Sequence, residues 1–338
     1  MPSRHRCIAR ILLPAVLLFA STAQAVTLKI ATVVPAGTAF IKELRAAGER
    51  IADETGGRVD LKLFPGGVMG NDSAVLRKMK IGQLHGAIVT SAGLAKIHPD
   101  AQVYSMPFVF RSYQEVEYVR ERIDPVIRER LREEGYVVAG ISEGGFTYLF
   151  SKKPIRRMED LGERRVWVPE GDEITARMFE NGGSQSVSLP ISDVFTSLQT
   201  GLIDTVTINP AGAIALQWHS GVSYQTDAPL LFLVGMLVID ERAFARIDEG
   251  DRDTVLGILR DTFDRLDEVT RKDNQEAMQA LREQGIELVE PARPPSERRW
   301  QGVARETLNA LEQEGKYDWS LLERVRGLVQ EYRARHDG

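Results

Sequence analysis

Apolar positions along this chain recur with a period that switches between two and about 3.6 residues, the spacings of strands and helices in turn. Val26–Val34 (VTLKIATVV) is rich in β-branched residues and stops at Pro35-Ala36-Gly37, which predicts an opening strand. Thr38 is placed to cap a helix over Ala39–Glu54, where Ile41, Leu44, Ala47 and Ile51 share one face. Val59–Phe64 alternates like a strand and ends at Pro65-Gly66-Gly67. Asp72 or Ser73 then starts a second helix that runs to Lys80. Strand, helix, strand, helix at this pace predicts parallel βαβ units.

One stretch of the pattern repeats. Leu76–Thr90 (LRKMKIGQLHGAIVT) and Phe195–Asn209 (FTSLQTGLIDTVTIN) each read as a helix, a glycine and a short buried strand. Gly82 and Gly201 suit the left-handed conformation that ends a helix. Each strand delivers a polar residue, Thr90 or Asn209, to its C-terminal end. Ligands of open α/β sheets bind beyond such ends, so two similar domains facing one cleft are expected. Val137–Ile141, Phe146–Phe150 and Arg165–Val168 read as further strands, and Leu230–Ile239 as a strand returning to the first domain. From Asp251 to Gln284, Val255, Leu259, Phe263, Leu266, Val269, Ala277 and Leu281 lie near one helical face. At about 1.5 Å per residue such a helix reaches roughly 50 Å, enough to brace both domains. Pro291, Pro294 and Pro295 mark a surface connection before helices around Trp300–Gln313 and Trp319–Arg335.

The N-terminus departs from this scheme. Arg4, Arg6 and Arg10 lead into the apolar run Ile11–Ala20, and Ala23-Gln24-Ala25 follows. That is the pattern of a secretory signal cleaved after Ala25, and the run is too short to span a bilayer. Cys7, the one cysteine, precedes the run and leaves with it, so the exported chain has no disulfide. A periplasmic protein starting at Val26 is expected. Loss of the three arginines leaves 40 basic against 48 acidic residues, moving the formal charge from −5 to −8. Such a balance speaks against general nucleic-acid binding.

Catalytic signatures are missing: no G-x-S-x-G, no H-E-x-x-H, no G-x-G-x-x-G and no phosphate loop. His85, His98, His219 and His336 have no second ligand at metal spacing. Glu170, Asp172 and Glu173 form an acidic cluster whose simplest reading is the cap of a helix starting at Glu173. Arg156, Arg157, Arg164 and Arg165 read as a solvated surface. With no nucleophile–base pair, an enzyme reading has nothing specific to rest on, and no cofactor or metal is expected.

Several segments together carry a family resemblance: LKIATVVPAGTAF, LFPGGVMGNDSAVLRKMKIGQLHGAIVTS, MPFVF at Met106–Phe110, DLGERRVWVPEGDE, and above all VSLPISDVFTSLQTGLIDTVTINP at Val187–Pro210. Over nearly its whole mature length the chain resembles the periplasmic solute receptors of TRAP transporters, the DctP-type family. The resemblance implies an α/β, two-domain periplasmic solute-receptor fold, type II-like, with Venus-flytrap closure and a long helix packed across both domains. The expected division is 26–147 plus about 230–275, against 148–229 plus about 276–338. It implies capture of a small organic solute and delivery to TRAP permease subunits in the membrane. A periplasmic sensor or adaptor would use the same fold, and a secreted hydrolase would need the missing catalytic pair.

Two departures bear on the solute. Relatives that bind carboxylates usually carry arginine where this chain has Trp167, and often a second one where it has Thr147. An arginine fork grips a carboxylate through two parallel hydrogen bonds, which neither residue can do. Arg165 shares a face with Trp167 on a regular strand and is a candidate substitute, though outward exposure is the simpler expectation. Two readings of the solute stand. One is a neutral or cationic solute held by the rings of Trp167, Tyr148 and Trp218 and by hydrogen bonds from Thr90, Asn71 and Asn209. The other is an organic acid gripped by a relocated cation. Trp167 as a core residue shielding the hinge is the competing structural reading.

Overall fold

Two mixed sheets, joined by a narrow antiparallel ribbon, hold all the strands among the described residues. The computed structural model describes residues 25–292, 296–315 and 319–336, so the expected leader, Pro294 and Pro295 lie outside the described residues. The first lobe opens with β1 (Val26–Thr32), α1 (Ala39–Glu54), β2 (Val59–Phe64), α2 (Asp72–Lys80), β3 (Gly86–Thr90) and the short α3 (Ser91–Leu94). A 3₁₀ segment, Pro99–Ser105, leads to α4 (Tyr113–Glu133) and the long β4 (Tyr136–Phe146). The second lobe contains β5 (Tyr148–Ser151), β6 (Arg165–Pro169), α5 (Glu173–Asn181), β7 (Gln185–Leu189), α6 (Ile191–Thr200), β8 (Thr205–Ile208), α7 (Pro210–Ala215) and β9 (Tyr224–Thr226). The chain returns through β10 (Phe232–Asp240), α8 (Glu241–Phe244), α9 (Glu249–Glu283) and β11 (Glu287–Val289), then ends in α10 (Ser296–Gln313) and α11 (Trp319–His336). Strand order is β2-β1-β3-β10-β4 in one sheet and β11-β9-β5-β8-β6-β7 in the other.

Local chemistry explains most boundaries. Thr38 caps α1 by accepting the Ile41 N–H, and Asn71 caps α2 by accepting that of Ala74. Gly82 and Gly201 adopt φ of +74° and +75°, which ends both echoed helices as their sequence predicts. Thr90 and Asn209 then stand at matching places, each the N-cap of a short helix directly after its strand.

The lobes are joined at Thr147, between β4 and β5. Its N–H donates to the Leu231 carbonyl and its carbonyl accepts from the Leu230 N–H, both at 2.9 Å. β4 pairs with β10 on one side of this point and β5 with β9 on the other, so the crossing is a continuous ribbon. Behind it runs α9, 35 residues long, which packs on α1 and β4 of the first lobe and on α7 of the second. Close approach requires Gly140: a Cβ there would stand 2.2 Å from the Phe263 ring. Asn274, also on α9 and buried, donates to the Gly144 carbonyl and accepts from Asn209 Nδ2 and the Ala211 N–H. It therefore ties the end of β4 to the start of α7 in the other lobe.

Three features differ from the sequence expectation. Residues 113–133, not anticipated as a helix, form α4, capped by Ser112, with Val116, Val119, Ile123, Ile127 and Leu131 as its buried stripe. Pro125 interrupts the pattern without breaking the helix. β4 continues past Ile141 through polar Ser142 and Glu143, because β10 supplies pairing partners and Arg120 and Arg271 neutralise the buried Glu143. Finally, α11 packs on α4 and the 3₁₀ segment of the first lobe, not with the second-lobe segments where the sequence grouped it. Leu321, Leu322, Val325 and Val329 complete the core beside α4, and Arg333 grips Glu115 through both carboxylate oxygens.

Substitution Asn274→Ala should strip Asn209 and Ala211 of their partner. Unmet buried groups of this kind cost about 1–3 kcal/mol, so a lower melting temperature is expected. An unchanged melting curve would remove Asn274 from the support of the hinge.

Candidate functional site

A cavity of about 260 Å³ lies between the lobes above the ribbon. It is smaller than the pockets of about 300–1,000 Å³ that hold drug-sized ligands, so it suits a compact solute. The first lobe contributes Asn71 and Asp72 at the start of α2, and Thr90 to Gly93 at the end of β3. From the second lobe come Trp167, Glu170 and Asp172 after β6, Thr175 on α5, Phe195 on α6, Thr207 on β8, and Trp218. Thr147, Leu231 and Leu233 of the ribbon complete the lining.

The two tryptophans are held rigidly. Trp167 Nε1 donates to the Leu189 carbonyl at 2.9 Å, and its ring meets that of Trp218 edge-on at 4.9 Å. Both are almost fully buried, so Trp167 is at once core and cavity wall. Asp72 is seated differently: its Oδ2 accepts from Thr90 Oγ1 at 3.1 Å, against the backbone of Gly93. A Cβ at Gly93 would come within 2.1 Å of that oxygen, so only glycine leaves room for the carboxylate. Asp172 caps α5 by accepting the Thr175 N–H, as the acidic cluster predicted, and lines the cavity as well.

Of the seven residues singled out from sequence, Trp167, Thr147, Thr90, Asn71 and Trp218 line this cavity. Tyr148 does not; successive strand residues point to opposite faces, and Tyr148 packs against cores of both lobes. Asn209 faces an adjoining groove and is committed to the Gly144 carbonyl and Asn274. Arg165 is exposed and stands 3.7 Å from Asp204, so it is not a relocated cation for the cavity. His85 accepts from the Lys29 N–H and His219 bonds the Ala213 carbonyl; neither lines the cavity.

What sequence reasoning missed is the charge. Asp72, Glu170 and Asp172 all line the cavity, and among the described residues no lysine, arginine or histidine does. Burial pushes the Asp72 carboxyl up to about 6, partly opposed by the Thr90 hydrogen bond and the nearby Lys96, while Glu170 adds to the rise. Burial likewise raises Asp172. Two bonds cross between the lobes here: Asn71 Nδ2 to Glu170 at 2.6 Å, and Gln102 Nε2 to Asp172 at 3.3 Å. Among the described residues no group of three His, Cys, Asp or Glu side chains can hold a metal ion.

Two α/β lobes on a ribbon hinge, with a cavity walled by both and a larger groove adjoining it, are the architecture of bilobal solute receptors. Residues 30–314 match the model of the family described as bacterial extracellular solute-binding protein, family 7 (DctP), and the chain belongs to that family. An uncharacterized protein of Salmonella typhimurium, YiiZ, is 24% identical over 59% of this chain and 63% of its own length. The C4-dicarboxylate-binding periplasmic protein DctP of Rhodobacter capsulatus is 19% identical over 78% of this chain and 79% of its own. A TRAP periplasmic solute-binding protein of Citrobacter koseri, solved with D-glucuronate, superposes with a TM-score of 0.80 at 23% identity, covering 88% and 98% of the two chains. The chain thus has the fold and the family of a bacterial extracellular solute-binding protein.

The Asp72 environment gives a testable sign. In the folded protein this carboxyl keeps its proton up to about pH 6, against 3.8 when unfolded. The resulting loss of stability is absent below the lower value, grows between the two and is complete above the upper one. At pH 7 it amounts to about 2 kcal/mol, allowing for the water that the cavity admits. Asp72→Asn should therefore melt higher than the parent at pH 7 and alike near pH 4. Equal melting at both would contradict the buried-carboxylate assignment.

Proposed function

We propose that the protein is exported, loses its leader after Ala25, and serves in the periplasm as the receptor of a TRAP transporter. It captures a small organic solute between its lobes and passes it to the membrane permease subunits, with no chemistry on the solute. The lobes move as bodies, residues 26–147 with about 230–275 against 148–229 with most of the segment that follows α9, on the ribbon at Thr147. The observation that carries this reading is the cavity itself, walled by both lobes and spanned by the Asn71–Glu170 hydrogen bond. A solute there makes closure favourable, because it contributes contacts to both lobes that the open form lacks. The glucuronate of the Citrobacter protein and the C4-dicarboxylates of the Rhodobacter protein set the scale of molecule such a cleft accepts.

Two measurements test the reading. Cells that carry the permease genes but lack this chain should fail to take up the solute, and purified chain added to the periplasm should restore uptake. Uptake independent of the chain would refute the receptor role. Glu170→Ala, which removes the bond across the cleft mouth, should give a larger radius of gyration in small-angle scattering of the solute-free protein. An identical radius would count against that bond holding the lobes together.

A further inference from the structure

The cavity of a receptor records the charge of what it holds, because a buried charge needs a partner. Here the carboxylates are half-buried Asp72 in the first lobe, and buried Asp172 and solvent-exposed Glu170 in the second. Asp172 is spoken for on one oxygen by the Thr175 N–H and Gln102, and Glu170 by Asn71. Neither partner is charged, so three carboxylates, with Glu170 at the exposed rim, border the space, and no lysine, arginine or histidine among the described residues lines it. Lys96 acts on Asp72 from outside that lining, bonded to Ser73 Oγ and standing beside Gly171. A second, independent observation points into the same space. The hydroxyl of Thr207, 9% exposed, has no hydrogen-bond partner and lines the cavity, whereas that of Thr175 lies beside the Asp172 carboxylate. A buried hydroxyl is rarely left without a partner, and a bound molecule is what completes it.

We propose that the solute is a small organic ammonium, held by the carboxylates of Asp72, Glu170 and Asp172 against the rings of Trp167 and Trp218. This rests on the reading of the interlobe cavity as the solute site. The carboxylates are not gathered tightly enough to hold a metal ion, which suits an organic cation with several N–H donors rather than a bare one. The raised Asp72 carboxyl fits as well: a cation beside it returns it to its charged form. Helix starts at the cavity are the natural place for an anion, but they do not favour one here. α2 and α5 are capped by Asn71 and Asp172 and carry Asp72 and Glu173 in their first turns. α6 alone starts there without a side-chain cap. A helix end supplies about half a positive charge, too little to offset three carboxylates. An acid would therefore enter a field of its own sign.

Calorimetric titration of the mature chain separates the possibilities, with putrescine, agmatine and cadaverine as ammonium probes and D-glucuronate as the acid probe. Two variants accompany it. Phe195→Ala removes an apolar wall that any solute of the cavity touches, and Asp72→Asn removes one charge while keeping the fold. At least one ammonium probe should bind, D-glucuronate should not, and Asp72→Asn should weaken the ammonium tenfold or more. If D-glucuronate binds more tightly than every ammonium probe and loses affinity in Phe195→Ala, the cavity is the site but the cation inference is wrong. If an ammonium binds with affinity unchanged in both variants, it sits elsewhere, and the cavity reading fails with the inference. Absence of binding by all three ammonium probes at millimolar concentration also overturns the inference.

Discussion

The reciprocal backbone pair between Thr147 and the Leu230–Leu231 step is the constraint on which the molecule depends. A strand that leaves one sheet and enters another must keep its amide groups bonded at the crossing, since unpaired buried groups are costly. Thr147 meets that demand with both its N–H and its carbonyl, and so fixes where the lobes can separate. Everything functional follows from this placement. The ribbon lies under the cavity, β3 and β8 deliver their C-terminal ends on either side of it, and α9 backs both lobes. The Thr147 position serves the hinge with a neutral side chain.

A second physical theme is the tension between stability and the cavity. Hydrophobic cores pack both faces of each sheet. At the cleft the same chain keeps Asp72 and Asp172 buried or half-buried without a cation in contact and the Thr207 hydroxyl unpartnered, features that lower the stability of the empty form. Such groups concentrate where binding is the compensating term. The contrast with Glu143 is instructive. That carboxylate is also buried, yet Arg120 and Arg271 surround it, so it serves the framework at the back of the hinge. Asp72 has the hydroxyl and backbone of Thr90 for partners, and a lysine only at a distance.

Much of the framework was legible in sequence because it rests on local rules. Thr38, Gly82 and Gly201 act within one helical turn of themselves, and the stripe from Val255 to Leu281 marks α9 directly. Helix α4 was hidden by Pro125, although its apolar stripe from Val116 to Leu131 was present. The position of α11 was not readable, since its apolar face does not say which lobe it covers. Of the residues lining the cavity, sequence pointed to Thr90 at a strand end and to Trp167 and Trp218 by their unusual type. Tyr148 was the wrong neighbour of Thr147, an error that strand alternation corrects. Asp72, Glu170 and Asp172 looked like helix-start residues, which Asp72 and Asp172 also are. Their convergence on one cavity is a fact of tertiary structure, produced by segments about a hundred residues apart, and no local pattern encodes it.

The central claim, that the cleft is built for a solute of positive charge, is tested most directly by what the protein carries when isolated. Native mass spectrometry of the chain recovered from the periplasm of its own cells, followed by release and identification of the bound compound, reads this without choosing a probe. The account predicts a low-mass compound bearing an ammonium group and no net negative charge. Recovery of a uronate, an aldonate or a dicarboxylate in its place would contradict it.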